Sequence, residues 1–190
     1  MKQLIFIVFA LAAAPQPAKA QLACALDVSP VQFESVTGTS AGAFDARGAV
    51  TVTCTGSQGA NIAACVEIGQ GATGSSGQRF LSPPKGTGAL PMQIFQDTSL
   101  TRPWGITALN QAVLLQRSGD GAMAATAYLR VYIQKGGAVS GTYLAHFPIT
   151  LRYGAVTGNF ADCNALGTAA TRAASPAVKP IAAGPLRRRR

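Results

Sequence analysis

An all-β fold of the antiparallel sandwich or barrel kind is predicted from three features of the 190-residue sequence. Short runs alternate apolar and polar residues. Turns rich in glycine, proline and serine separate them. No long segment carries a capped 3.6-residue apolar period.

The first twenty residues stand apart from that pattern. Met1-Lys2 is a positive start, Leu4 to Ala14 is an apolar run, and Ala18-Lys19-Ala20 has the small-residue cleavage pattern. Together they read as a secretory signal peptide over residues 1–20. Spanning a bilayer takes about 20 apolar residues, so this run predicts no transmembrane segment. A lipid anchor on Cys24 would need an apolar-small triplet directly before it. Gln21-Leu22-Ala23 places glutamine where a leucine-like residue belongs, so a soluble secreted chain is expected.

The body then runs as strands and turns. Ala49 to Thr55 alternates small and β-branched residues. GQGATGSSGQ (69–78) and SPPKGTG (82–88) are turn stretches, as are RSGDG (117–121) and KGGAVSG (135–141). Leu129 to Ile133 alternates again. In the run from His146 to Tyr153, Phe147, Ile149, Leu151 and Tyr153 share one face, and His146, Pro148, Thr150 and Arg152 share the other. After Cys163 the sequence becomes rich in alanine and proline, lacks aromatic residues and ends in four arginines. Residues 164–190 are therefore expected to be a disordered basic tail.

The formal charge of +9 suggests a polyanionic partner until its location is examined. Between Gln21 and Cys163, eight Lys and Arg face seven Asp and Glu, a net of +1. The excess lies in the leader and in the tail. A nucleic-acid face on the domain is not expected.

Four cysteines in a secreted chain favour two disulfides, with three connectivities open. A structural zinc site is not expected without a CxxC pair and with one histidine, nor is any cofactor. Gly69 to Gly74 matches GxGxxG, but the two prolines that follow and the missing βαβ context make it a turn. His146 is expected on an exposed face rather than in a catalytic set, and Trp104 in the core. No nucleophile elbow or carboxylate pair stands out, so no enzyme is expected.

Several ordered pieces resemble the spore coat protein U domain, the pilin-type module of archaic chaperone–usher fimbriae. They are a cysteine followed by VQF (31–33), FDARGAVTVTCT (44–55), a Gly-rich turn with Arg79, LPMQIFQDTSLTRPWG (90–105), YLRVYI (128–133) and SGTYLAHFPITLRY (140–153). Met92 and Phe95 stand where the family usually has tyrosines, and Ala145 or His146 where it has aspartate.

The resemblance implies an incomplete immunoglobulin-like antiparallel β-sandwich over residues 21–163, lacking its last strand. It implies a secreted fimbrial subunit in adhesion and biofilm formation, with a periplasmic pilus chaperone, an outer-membrane usher and a neighbouring pilus subunit as partners. A chaperone strand, later a neighbouring subunit's strand, would fill the gap beside Phe147, Ile149, Leu151 and Tyr153. Strand placement in such sheets implies Cys24–Cys54 and Cys65–Cys163 as the disulfides. With only Gln21-Leu22-Ala23 before the first cysteine, a terminal or tip subunit is expected. The alternative is a stand-alone binding module that closes its own fold with the tail.

Overall fold

The computed structural model describes residues 21–29, 31, 33, 41–71, 78–83, 88–134, 143, 145–166 and 168–174. The leader assigned to 1–20 and the four terminal arginines lie outside them. No helix among the described residues is long and apolar enough to cross a membrane.

Two antiparallel sheets make an immunoglobulin-like sandwich. One has the order β1-β2-β7-β5-β4, formed by Ala23–Val28 (β1), Gly42–Thr55 (β2), Gly121–Ile133 (β7), Leu90–Phe95 (β5) and Arg79–Leu81 (β4). The other has the order β6-β3-β8-β9, formed by Val113–Ser118 (β6), Asn61–Ile68 (β3), Phe147–Val156 (β8) and Thr168–Ala174 (β9). Short 3-10 turns occupy Thr107–Leu109 and Cys163–Ala165.

The long β2–β7 ladder shows why the sequence takes this form. Along β2, Ala46, Gly48, Val50, Val52 and Cys54 are buried, while Asp45, Arg47, Ala49 and Thr53 are exposed. A two-residue period leaves one sheet face apolar, and that face must pack on something. It packs on Ile62, Ala64 and Val66 of β3 and on Phe147, Ile149 and Leu151 of β8, with Leu129 and Val131 of β7 in the same core.

β3 departs from that period. Every residue from Ile62 to Ile68 is buried, because β3 lies between β6 and β8 and is covered on both faces. Ile62, Ala64 and Val66 face the main core. Ala63 and Cys65 form a second cluster with Leu166, against which Leu114, Val156, Phe160 and Cys163 pack.

The disulfides join Cys24 to Cys54 and Cys65 to Cys163. Cys24 and Cys54 are directly opposite in the β1–β2 register. The Cys24 sulfur is therefore bonded to Cys54 rather than free to carry a lipid. Next to this bridge, Gly56 has φ +79°, and a Cβ there would lie 2.5 Å from the Gln21 carbonyl oxygen. Only glycine fits this turn without strain.

The expectation of a disordered tail from residue 164 is corrected for the part described. Asn164 and Ala165 complete a 3-10 turn, Leu166 is buried, and Thr168–Ala174 is a strand paired with β8. An exposed sheet edge offers a row of main-chain donors and acceptors, and these recruit a segment whose own composition carries little strand preference.

The bridges close loops of 30 and 98 residues. Loop entropy then gives about 3.6 kcal/mol for Cys24–Cys54 and about 4.7 kcal/mol for Cys65–Cys163. Paired serine replacement should lower the denaturant midpoint in that order, the second pair more. Equal losses in equilibrium unfolding would contradict this ranking.

Candidate strand-accepting edge

β8 carries the four residues singled out by alternation. Phe147, Ile149 and Leu151 are buried against the opposite sheet, and Tyr153 is partly buried beside them. On the other face His146 and Pro148 are exposed, with Thr150 and Arg152 half-buried.

The main chain of the same residues faces the outer edge. β3 and β8 pair from Asn61↔Val156 to Ile68↔Ile149. One residue further, the Gly69 N–H donates to the Pro148 carbonyl at 2.8 Å. Hydrogen-bonded pairs alternate along an antiparallel ladder, so the even-numbered residues of β8 turn their main-chain groups toward β3. Phe147, Ile149, Leu151 and Tyr153 turn theirs the other way. There β9 pairs with them in continuous register, from Phe147↔Ala174 to Tyr153↔Thr168. The edge that the sequence leads one to expect vacant is thus filled by the chain's own tail.

The start of β8 has a defect, which Arg79 repairs. Pro148 has no N–H, so it cannot return a hydrogen bond to the Gly69 carbonyl. The Arg79 Nε donates to that oxygen instead, at 2.9 Å. Its Nη2 donates to the Ile68 and Trp104 carbonyls at 2.5 and 2.8 Å, and its Cζ lies 5.8 Å from the Phe147 ring centre. Arg79 is 3% exposed. Burial pushes its guanidinium down to about 10, still charged at neutral pH. A buried cation without a carboxylate is stable here because three carbonyl dipoles receive its N–H groups.

Trp104 completes this end of the sandwich. It is fully buried, and its indole N–H donates to the Val66 carbonyl at 2.9 Å. This is the packing role expected for it. His146 lies just before β8 on the exposed side. The described part of the GxGxxG stretch, Gly69 to Gly71, is an irregular connection out of β3, and Gly71 has φ +80°; the rest of that motif lies outside the described residues.

On the outer face, Glu67 of β3 accepts from Arg152 of β8 at 2.7 Å and from the Thr107 hydroxyl. Burial pushes the Glu67 carboxyl up, but Thr107 and Arg152 together outweigh it, and the net shift is down. Between the sheets, beneath Phe147 and Ile149, lies an apolar cavity of about 30 Å³, also lined by Val28, Val31 and Val50.

The sequence singled out the face of β8, and it marked Arg79 only within a Gly-rich turn of the resemblance, without a role. Its signal was a lone cation in the apolar run of β4, together with a proline at the head of a strand.

The Spore Coat Protein U domain model matches residues 8–150. The chain belongs to this family. The match begins inside the segment assigned as leader and ends within β8. No curated protein matches the chain. Among solved structures, it is similar to the CupB6 tip adhesin from Pseudomonas aeruginosa, with 14% identity and a TM-score of 0.40 over 78% of this chain and 50% of that one. It thus spans about half the length of that adhesin. It is also similar to a structure of the AAF fimbriae of enteroaggregative Escherichia coli, described for fibronectin binding and biofilm formation. There the identity is 15% and the TM-score 0.35, over 78% of this chain and 93% of that one.

Two outcomes are expected here. Arg79→Met should leave the Gly69, Ile68 and Trp104 carbonyls without that donor and cost about 3 kcal/mol or more in urea unfolding. Arg79→Lys should recover only part, since an ammonium lacks the planar fork. The Glu67 carboxyl, held below its ordinary 4.5, contributes stability that is present above that pH and lost as pH falls through its lower folded value. Glu67→Gln should therefore flatten the acid limb of the stability–pH curve. An unchanged slope would contradict this.

Proposed function

We propose that the chain is a secreted pilus subunit of the chaperone–usher type and that β8 is its assembly edge. The observation that carries this reading is the coincidence on β8. Phe147, Ile149, Leu151 and Tyr153 present core side chains between the sheets and offer their main-chain groups to one added strand. Strand addition uses both features: main-chain bonds give affinity, and pockets for alternate side chains give specificity. The first occupant is a strand from a periplasmic chaperone, and the next is the extension of a neighbouring subunit received at the outer-membrane usher. The product is a surface fibre in adhesion and biofilm formation, and no catalytic step is assigned to the chain.

In this reading the subunit ends a fibre. With cleavage after Ala20, Gln21-Leu22-Ala23 precede Cys24. Leu22 packs on the core and Ala23 already pairs with Thr55. A strand of about five residues is needed to pair usefully, and this segment is too short and too engaged to donate one. The second reading, a stand-alone module that closes its own sandwich, is favoured by the β8–β9 pairing itself.

The test is to mix the purified secreted chain with an extended peptide carrying large apolar residues in register with Phe147 and Ile149. A one-to-one complex by native mass spectrometry and no fibres from the protein alone by electron microscopy are expected. Fibres formed by the protein alone would refute the terminal position. A monomer indifferent to every such peptide would refute the assembly edge and leave the self-closed module.

A further inference from the structure

β9 has little of its own to hold it. Its seven residues are Thr-Ala-Ala-Thr-Arg-Ala-Ala, with no large apolar side chain. The register sets Ala170 opposite Leu151, Arg172 opposite Ile149 and Ala174 opposite Phe147. The apolar cavity lies beneath Phe147 and Ile149, at this same end of the pairing. Main-chain bonds are left to oppose the entropy of ordering the segment, and that balance is close to even for an isolated strand.

The residues just before β9 change the balance. Leu166 is 4% exposed and sits in the cluster with Ala63 and Cys65, on the outer face of β3. The Cys65–Cys163 disulfide fixes the chain three residues earlier. From Leu166 a single residue leads to Thr168, where pairing with Tyr153 begins. Anchoring a segment so close to its binding edge raises its effective concentration there far above that of a free peptide.

We propose that the Cys65–Cys163 disulfide and Leu166 form a clamp that seats the chain's own tail strand on β8, making β9 a resident occupant that an incoming strand must displace. The strand that displaces it carries large apolar residues in register with Phe147 and Ile149, where the tail supplies alanine and arginine. That consequence for partners rests on the assembly role proposed for β8, whereas the clamp is a property of the chain alone.

Hydrogen-exchange mass spectrometry on the full secreted chain separates the two. In the unaltered protein, residues 168–174 should exchange more slowly than a free peptide of the same sequence. Leu166→Ser keeps the disulfide and should speed their exchange about tenfold to a hundredfold, the fold-change for losing one buried leucine. Protection of β2 and β7 should not change. Cys65→Ser/Cys163→Ser should speed it further; should that variant not fold, Leu166→Ser decides. Should Leu166→Ser also expose β2 and β7, Leu166→Ala is read by the same criterion. Tail exchange as fast as the free peptide in the unaltered chain, or unchanged by the Leu166 variants, would overturn the clamp. Faster tail exchange with no capture of the apolar peptide would uphold the clamp and sink the assembly role of β8.

Discussion

A strand ends where its carbonyls run out of donors, and at one end of this sandwich a single guanidinium supplies them. Arg79 belongs to β4 in the first sheet, yet its N–H groups reach the Gly69 and Ile68 carbonyls at the end of β3 in the second and the Trp104 carbonyl in the connection after β5. Without it, Pro148 would leave the first rung of the β3–β8 ladder half made. The same guanidinium lies 5.8 Å from the ring centre of Phe147, the first residue of β8. A lysine would bring charge but not the fork that serves carbonyls in different directions.

The second constraint is the burial of β3 on both faces. The inner face follows from the sandwich. The outer face is covered because the chain beyond β8 folds back over Ala63 and Cys65 and is bonded there by Cys163. The Glu67–Arg152 pair closes the adjoining surface. The last segment is therefore held beside the same strand, β8, whose far edge it goes on to pair with. Covering one face of the sheet and filling its edge are parts of one chain path.

This organisation explains what was legible in the sequence. The 49–55 and 147–153 runs alternate because one face meets the core and the other meets water, and exposed residues such as Thr53 and Pro148 record that. Asn61–Ile68 reads less clearly as a strand, because burial on both faces erases the alternation that marks one. Arg79 reads as one more surface charge, since nothing in its local sequence reveals the proline 69 positions later whose missing donor it replaces. The tail reads as disordered because alanine and threonine give it no hydrophobic period. Its order comes from pairing with the β8 edge, from Tyr153↔Thr168 to Phe147↔Ala174, and not from any pattern of its own.

That last point bears on how selective such an edge can be. Main-chain ladders accept almost any sequence lacking proline at the paired N–H positions, so occupancy by itself says little about fit. Fit is decided between the sheets, where a bulky residue opposite Phe147 would remove apolar surface from water and alanine would remove much less. An edge that accepts any backbone but rewards large side chains ranks its occupants. A weak resident strand lowers the exposure of the apolar edge and the aggregation it invites. It does so without matching the affinity of a strand whose side chains fill the space beneath. The tail's poverty in large residues, which hides it from sequence reading, is also the property on which the proposed exchange at this edge depends.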